Sequence, residues 1–199
     1  QTKKHIGAYG YKRNTTPWLS EMKDSNNFIL FQNAYACDVM TMYVMSKALT
    51  ESSQYNGKQF YDSFSLIKIV KKAGYKTFFL SNHELHTAIA NPMALIADDA
   101  DLTILTSDSN NAVNTFDEKL AEEFDKIEDD SRNKLFIIHL LGSHFEYRDR
   151  YTQKFDVFCG KRDECTLDAK EPEKLCEYDN SIFYTDHVLS KIFETAKNK

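Results

Sequence analysis

Apolar positions along the chain change period repeatedly. Residues 28–31 (Phe-Ile-Leu-Phe), 75–80 (Tyr-Lys-Thr-Phe-Phe-Leu) and 102–105 (Leu-Thr-Ile-Leu) are short runs of strand type. The longest such run, Lys-Leu-Phe-Ile-Ile-His-Leu-Leu at 134–141, reads as the central strand and is bounded by Gly142 and Ser143. Between the runs the period becomes helical. Residues 63–73 form an amphipathic segment closed by Gly74, a glycine stop being the usual helix C-terminus. Residues 42–49, 115–127 and 178–195 have helical spacing, and Thr15-Thr16-Pro17 looks like a helix start with Pro at the first helical position. Strands alternating with helices predict an α/β fold: a largely parallel sheet sandwiched by helices, in one partial domain over residues 1–199. Ligands of such sheets sit at the carboxyl ends of the strands. That rule nominates the loops after Phe31, Leu80 and Leu141, which carry Thr41, Asn82 with His83, and Ser143 with His144.

Composition narrows the class. With 199 residues, 42% hydrophobic and 28% charged, the chain can bury one core and does not demand two domains. A net charge of −5 provides no basic field, which argues against a nucleic-acid partner. No apolar run approaches the ~20 residues of a membrane span. The chain opens inside a motif-like stretch and closes straight after a helical pattern, so a piece of a larger protein is expected. Four cysteines are present. Cys159 and Cys165 bracket a short polar loop, and a Cys159–Cys165 disulfide is expected there, two reduced surface thiols being the alternative. Cys37 and Cys176 stay unassigned. No CxxC spacing accompanies them, so they do not read as a zinc knuckle.

Taken singly, each candidate residue has a plain structural explanation. A Thr at a helix N-terminus is usually a cap, and local chemistry favours that role for Thr41. His139, inside an apolar strand, reads as a satisfied core histidine. His144 follows a Gly-Ser turn that exposes it, and surface and functional roles both remain open. Asp186 and His187 lie mid-helix with side chains about 100° apart, and read as surface decoration. Convergence shifts the balance towards phosphoryl transfer. A hydroxyl at a helix N-terminus has free amides and a positive dipole end to stabilise phosphate oxygens. A phospho-Thr would split the transfer into two displacements, but the hydroxyl needs a metal or base to activate it, and no acidic metal cluster is evident.

The runs Tyr-Gly-Tyr-Lys-Arg-Asn-Thr-Thr-Pro at 9–17, the segment of Cys37 and Thr41, Phe-Leu-Ser-Asn at 79–82, Leu-Gly-Ser-His at 141–144 and Tyr-Asp-Asn-Ser-Ile-Phe-Tyr-Thr-Asp-His at 178–187 occur together and in this order. This combination resembles the periplasmic catalytic domain of bacterial phosphoethanolamine transferases, inner-membrane proteins of the alkaline phosphatase/sulfatase superfamily. The resemblance implies transfer of phosphoethanolamine from phosphatidylethanolamine to lipopolysaccharide, on a core heptose or on lipid A. Thr41 would be the nucleophile and a ligand of Zn2+, and His144 would contact the phosphate. Asn82 would bind substrate, with His83 and Glu84 as weaker matches. The family's remaining metal ligands, a Glu and an Asp-His pair, fall outside the chain. So does the membrane region, and the 199-residue piece alone is expected to be inert. Two departures stand out: Lys47 replaces the family's second Cys, and Asn-His-Glu-Leu-His-Thr at 82–87 replaces the Cys-paired substrate loop of the lipid A branch. Both favour the branch acting on core sugars. Alternatives are a sulfatase, against which the missing Cys/Ser-x-Pro-x-Arg signature counts, a phosphoglycerol transferase, or an inert binding module.

Overall fold

The structure, a computed structural model, describes residues 2–26, 28–85, 92–107, 115–128, 130–131, 133–161, 163–167 and 169–199. They form two compact units. One comprises Gln32–Ala112 and Ile127–His139, the other Gln1–Phe31, Val113–Lys126 and Leu140–Lys199.

The first of these holds the sheet. Strands β1 (Lys76–Ser81), β2 (Leu102–Leu105) and β3 (Lys134–His139) are all parallel, in the order β2-β1-β3, with Ser81 opposite both Leu105 and His139. The α/β parallel architecture is therefore as expected, but the central strand is not. β1 is paired on both sides and buried from Thr77 to Ser81, whereas β3 is half-buried throughout. A continuous apolar run requires two covered faces, not two paired edges, and so does not identify the middle strand. On one face Phe79, Leu135 and Ile137 pack against Met45 of α2 (Thr41–Ala48), Ile67 of α3 (Leu66–Lys72) and Met93 and Ile96 of α4 (Pro92–Ala97). Ser65 caps α3 by accepting from the Lys68 amide, and Gly74 at φ 85° ends the segment in the left-handed region open to glycine. Residues 28–31, expected as a strand, are irregular and pair with no described strand, and Ile29 and Phe31 are exposed.

The second unit is organised by α7 (Pro172–Ala196), against which α1 (Pro17–Met22), α5 (Glu118–Lys126) and α6 (Glu164–Leu167) pack. Tyr151, Phe155, Tyr184 and Val188 form its core. Thr16 does not cap α1, because its hydroxyl accepts from the Ala8 amide. Asp186 does so from α7 instead, accepting from the amides of Trp18 (2.8 Å) and Leu19 (3.1 Å). Asp186 is thus a buried remote cap, not surface decoration. Burial pushes its carboxyl up to about 6, against the pull of the two amides. Two turns earlier Asp179, fully buried, accepts from Arg13 Nη1, Tyr11 and His5 Nδ1, while the rest of the Arg13 guanidinium grips Asp163 bidentately. That grip holds the Asp163 carboxyl down at about 2.

The disulfide also differs from expectation. Cys159 bonds Cys176, with Cα atoms 5.0 Å apart, and Cys165 and Cys37 are free. Asn180 Oδ1 accepts from the amides of Val157 and Phe158 and docks that turn on α7. Cys176 lies one helical turn before Asn180 on the same face, so Cys159 meets it. Cys165 is drawn into α6, where its amide donates to Asp163. Cys176→Ser should lower unfolding stability by about 3 kcal/mol, the loop-closure value for a separation of 17 residues. Denaturant titration with and without reductant checks this: reductant should shift the parent midpoint and leave the variant's unmoved.

Among the described residues no helix is long and apolar enough to cross a membrane.

Candidate active site

Thr41 is the first residue of α2, and it is not the cap. Met40 occupies the cap position without a side-chain hydrogen bond, and its carbonyl accepts from the amides of Tyr43 (3.0 Å) and Val44 (3.1 Å). Asp38 Oδ1 takes the amides of Val39 and Met40 just upstream. The Thr41 hydroxyl is exposed and has no hydrogen-bond partner among the described residues. It therefore stands free beside the first-turn amides, at the positive end of the helix dipole. Since residues 28–31 are no strand, Thr41 owes this place to α2 and not to a strand-end loop.

At the carboxyl ends of the strands the sheet gathers Ser81, Asn82, His83, Thr106 and His139. Asn82 is 2% exposed, its amide donates to the His139 carbonyl and its Oδ1 accepts from the Thr106 hydroxyl (2.8 Å). His83 is half-buried and stacks on His139 with ring centroids 4.1 Å apart. His139 Nδ1 meets the Ser81 hydroxyl at 3.2 Å. Burial, and then the facing His83 ring, push His139 down to about 4, so it is neutral at pH 7. Glu84 is exposed, and residues 86–87 of the substrate-loop segment lie outside the described residues.

His144 belongs to the α7 unit and is exposed. The turn that leads to it is held by Asp117, which sequence reasoning missed. An Asp opening an amphipathic helix reads as that helix's own cap, and only the fold reveals a long-range target. Asp117 is buried, and its two carboxylate oxygens accept from the amides of Leu141 (2.9 Å) and Gly142 (2.7 Å). The nominated residues are thus divided. Asn82 and His83 stand together, Thr41 shares their unit without bonding to either, and His144 lies in the other unit.

The family model described as Sulfatase matches residues 1–199. The chain belongs to the sulfatase family. Within the sulfatase family it is 30% identical to the phosphoethanolamine transferase EptC of Escherichia coli strain K12 over 197 residues, 96% of this chain and 34% of that protein. It is 26% identical to the Kdo(2)-lipid A phosphoethanolamine 7''-transferase of Salmonella typhimurium over 208 residues, 98% of this chain and 34% of that protein. The C-terminal periplasmic domain of Escherichia coli EptC, solved in complex with Zn, superimposes with a TM-score of 0.89 at 29% identity, covering 100% of this chain and 57% of that one. The chain spans about a third of the length of the curated relatives it matches.

The residues present do not by themselves fit zinc. Among those described, no group of three or more His, Cys, Asp or Glu side chains is placed to hold a metal ion, and the Thr41 hydroxyl alone falls short of the three or four donors zinc takes.

Proposed function

We propose that the protein carrying this chain is a phosphoethanolamine transferase whose catalytic domain works in the bacterial periplasm, attached to the inner membrane through a region outside the chain. It moves phosphoethanolamine from phosphatidylethanolamine to lipopolysaccharide, on a core heptose or on lipid A. The observation that carries this reading is the free, exposed Thr41 hydroxyl at the head of α2. In the first step Thr41 Oγ attacks the donor phosphorus; its proton is lost and diacylglycerol leaves with a proton. In the second, an acceptor hydroxyl attacks the same phosphorus and loses its proton, and Thr41 Oγ leaves with one. The first-turn amides of α2 face the phosphate oxygens, Asn82 and His83 line the substrate side, and His144 contacts the phosphate. The periplasmic name of the domain that superimposes and the disulfide support the compartment. Zinc belongs to the longer protein, with Thr41 as one donor and the others outside the chain.

Incubating the full-length protein with phosphatidylethanolamine should give an intact mass increased by one phosphoethanolamine group, mapped by peptide analysis to Thr41. An unlabelled protein, or a label on another residue, overturns the reading. His144→Ala should lower kcat roughly 10²–10³-fold, as for other single groups that stabilise a charged transition state. Its thermal melt should not move, because the side chain is exposed. Steady-state rates with a lipopolysaccharide acceptor check both.

A further inference from the structure

The loop carrying His144 is bracketed by two left-handed residues. Gly142 at φ 58° turns the chain sharply after β3, and Glu146 at φ 62° holds a conformation that costs a non-glycine residue roughly 1–3 kcal/mol. Such a turn persists only if its surroundings over-determine it. Asp117 constrains the Gly142 end of it. A carboxylate this buried carries a desolvation cost that needs hydrogen bonds to its charged form to offset it. Here two consecutive amides, Leu141 and Gly142, donate to its two oxygens in a fork of short, charge-assisted bonds. Asp117 is in turn fixed at the head of α5: the Leu120 amide donates to its carbonyl, and the Glu118 amide donates to the Tyr184 hydroxyl on α7. A line of contacts therefore runs from the core of the unit, through Tyr184 and the start of α5, to the backbone that presents His144.

We propose that Asp117 is a positioning residue: its carboxylate sets the Leu141–Gly142 turn and thereby the place from which His144 reaches the transferred phosphate. This rests on the reading of His144 as a phosphate contact. Asp117→Asn is the informative change, because it keeps size and shape. An amide group supplies one acceptor where two are needed and turns an N–H2 towards the second backbone amide. The turn should loosen without a cavity forming.

In the full-length protein, Asp117→Asn should lower kcat roughly 10–100-fold, the scale of a small misplacement of a reacting group. Added to His144→Ala it should cost nothing further, since both changes then remove one interaction. Hydrogen exchange at the Leu141 and Gly142 amides should accelerate in the variant, while the amides of α7 stay protected. Additive losses in the double variant, full activity of Asp117→Asn, or loss of its cooperative melt would each overturn the proposal. A full-rate His144→Ala enzyme would sink the role given to His144, and that of Asp117 with it. Unprotected Leu141 and Gly142 amides in the parent protein would sink the clamp alone.

Discussion

Thr41→Ala in the full-length protein should abolish phosphoethanolamine transfer, with losses of roughly 10⁴–10⁶-fold, the scale seen when a covalent nucleophile is removed. The two-step route requires an oxygen on residue 41, and alanine has none. The fold should not register the change. Thr41 is exposed, its hydroxyl bonds to nothing described, it does not cap α2, and alanine is a better helix former than threonine. An unchanged melting curve beside a lost rate would separate chemistry from stability. Thr41→Ser, which keeps the hydroxyl, should retain measurable transfer and still take up the mass label. Transfer at the parent rate by a folded Thr41→Ala protein would mean direct displacement by the acceptor, without a phospho-enzyme.

The second large effect lies far from the chemistry. Arg13→Met should destabilise the protein by about 3–5 kcal/mol, the range for removing one partner of a buried ion pair. The Arg13 side chain is 4% exposed and that of Asp179 0%, so the substitution leaves a carboxylate sealed from water with, among the described residues, Tyr11 and His5 to meet it. Lys12 is the control. It pairs with Glu164, both side chains largely exposed, and water and salt already satisfy such charges. Lys12→Met should leave the urea midpoint where it is. Equal midpoints for the two variants would contradict the account given of the Arg13 network.

The helices and strands were legible in the sequence where apolar residues run together or recur at helical spacing. Residues 102–105 form β2 as expected, and the amphipathic segments at 63–73 and 115–127 contain α3 and α5. Thr41 and His144 could be nominated because a hydroxyl at a helix head and a histidine after a Gly-Ser turn are local patterns. What local pattern conceals is the partner. Asp117 and Asp186 each sit where a sequence reading sees a self-contained helix residue, yet each spends its carboxylate on amides of a distant segment. The cysteine pairing failed for the same reason. A short loop suggests closure on itself, but Asn180 docks the 157–158 turn onto α7 and brings Cys159 to Cys176. The stretch 178–187, which carried much of the family resemblance, proves to be dense in such partners.

That density dictates an order of assembly. Arg13 meets Asp179 across 166 residues of chain, and Trp18 meets Asp186 across 168. The sheet unit ends at His139, so all of its strands are made before α7. Residues 13–18 have to wait, because the α7 residues that receive them follow 166–168 positions later. At ~5–20 residues per second the wait is roughly 10–30 s. Throughout it Trp18, Arg13 and the uncapped first turn of α1 stand unsatisfied. For that interval residues 2–31 depend on whatever keeps an unfinished chain from sticking to its neighbours, and α7 is the piece that releases them.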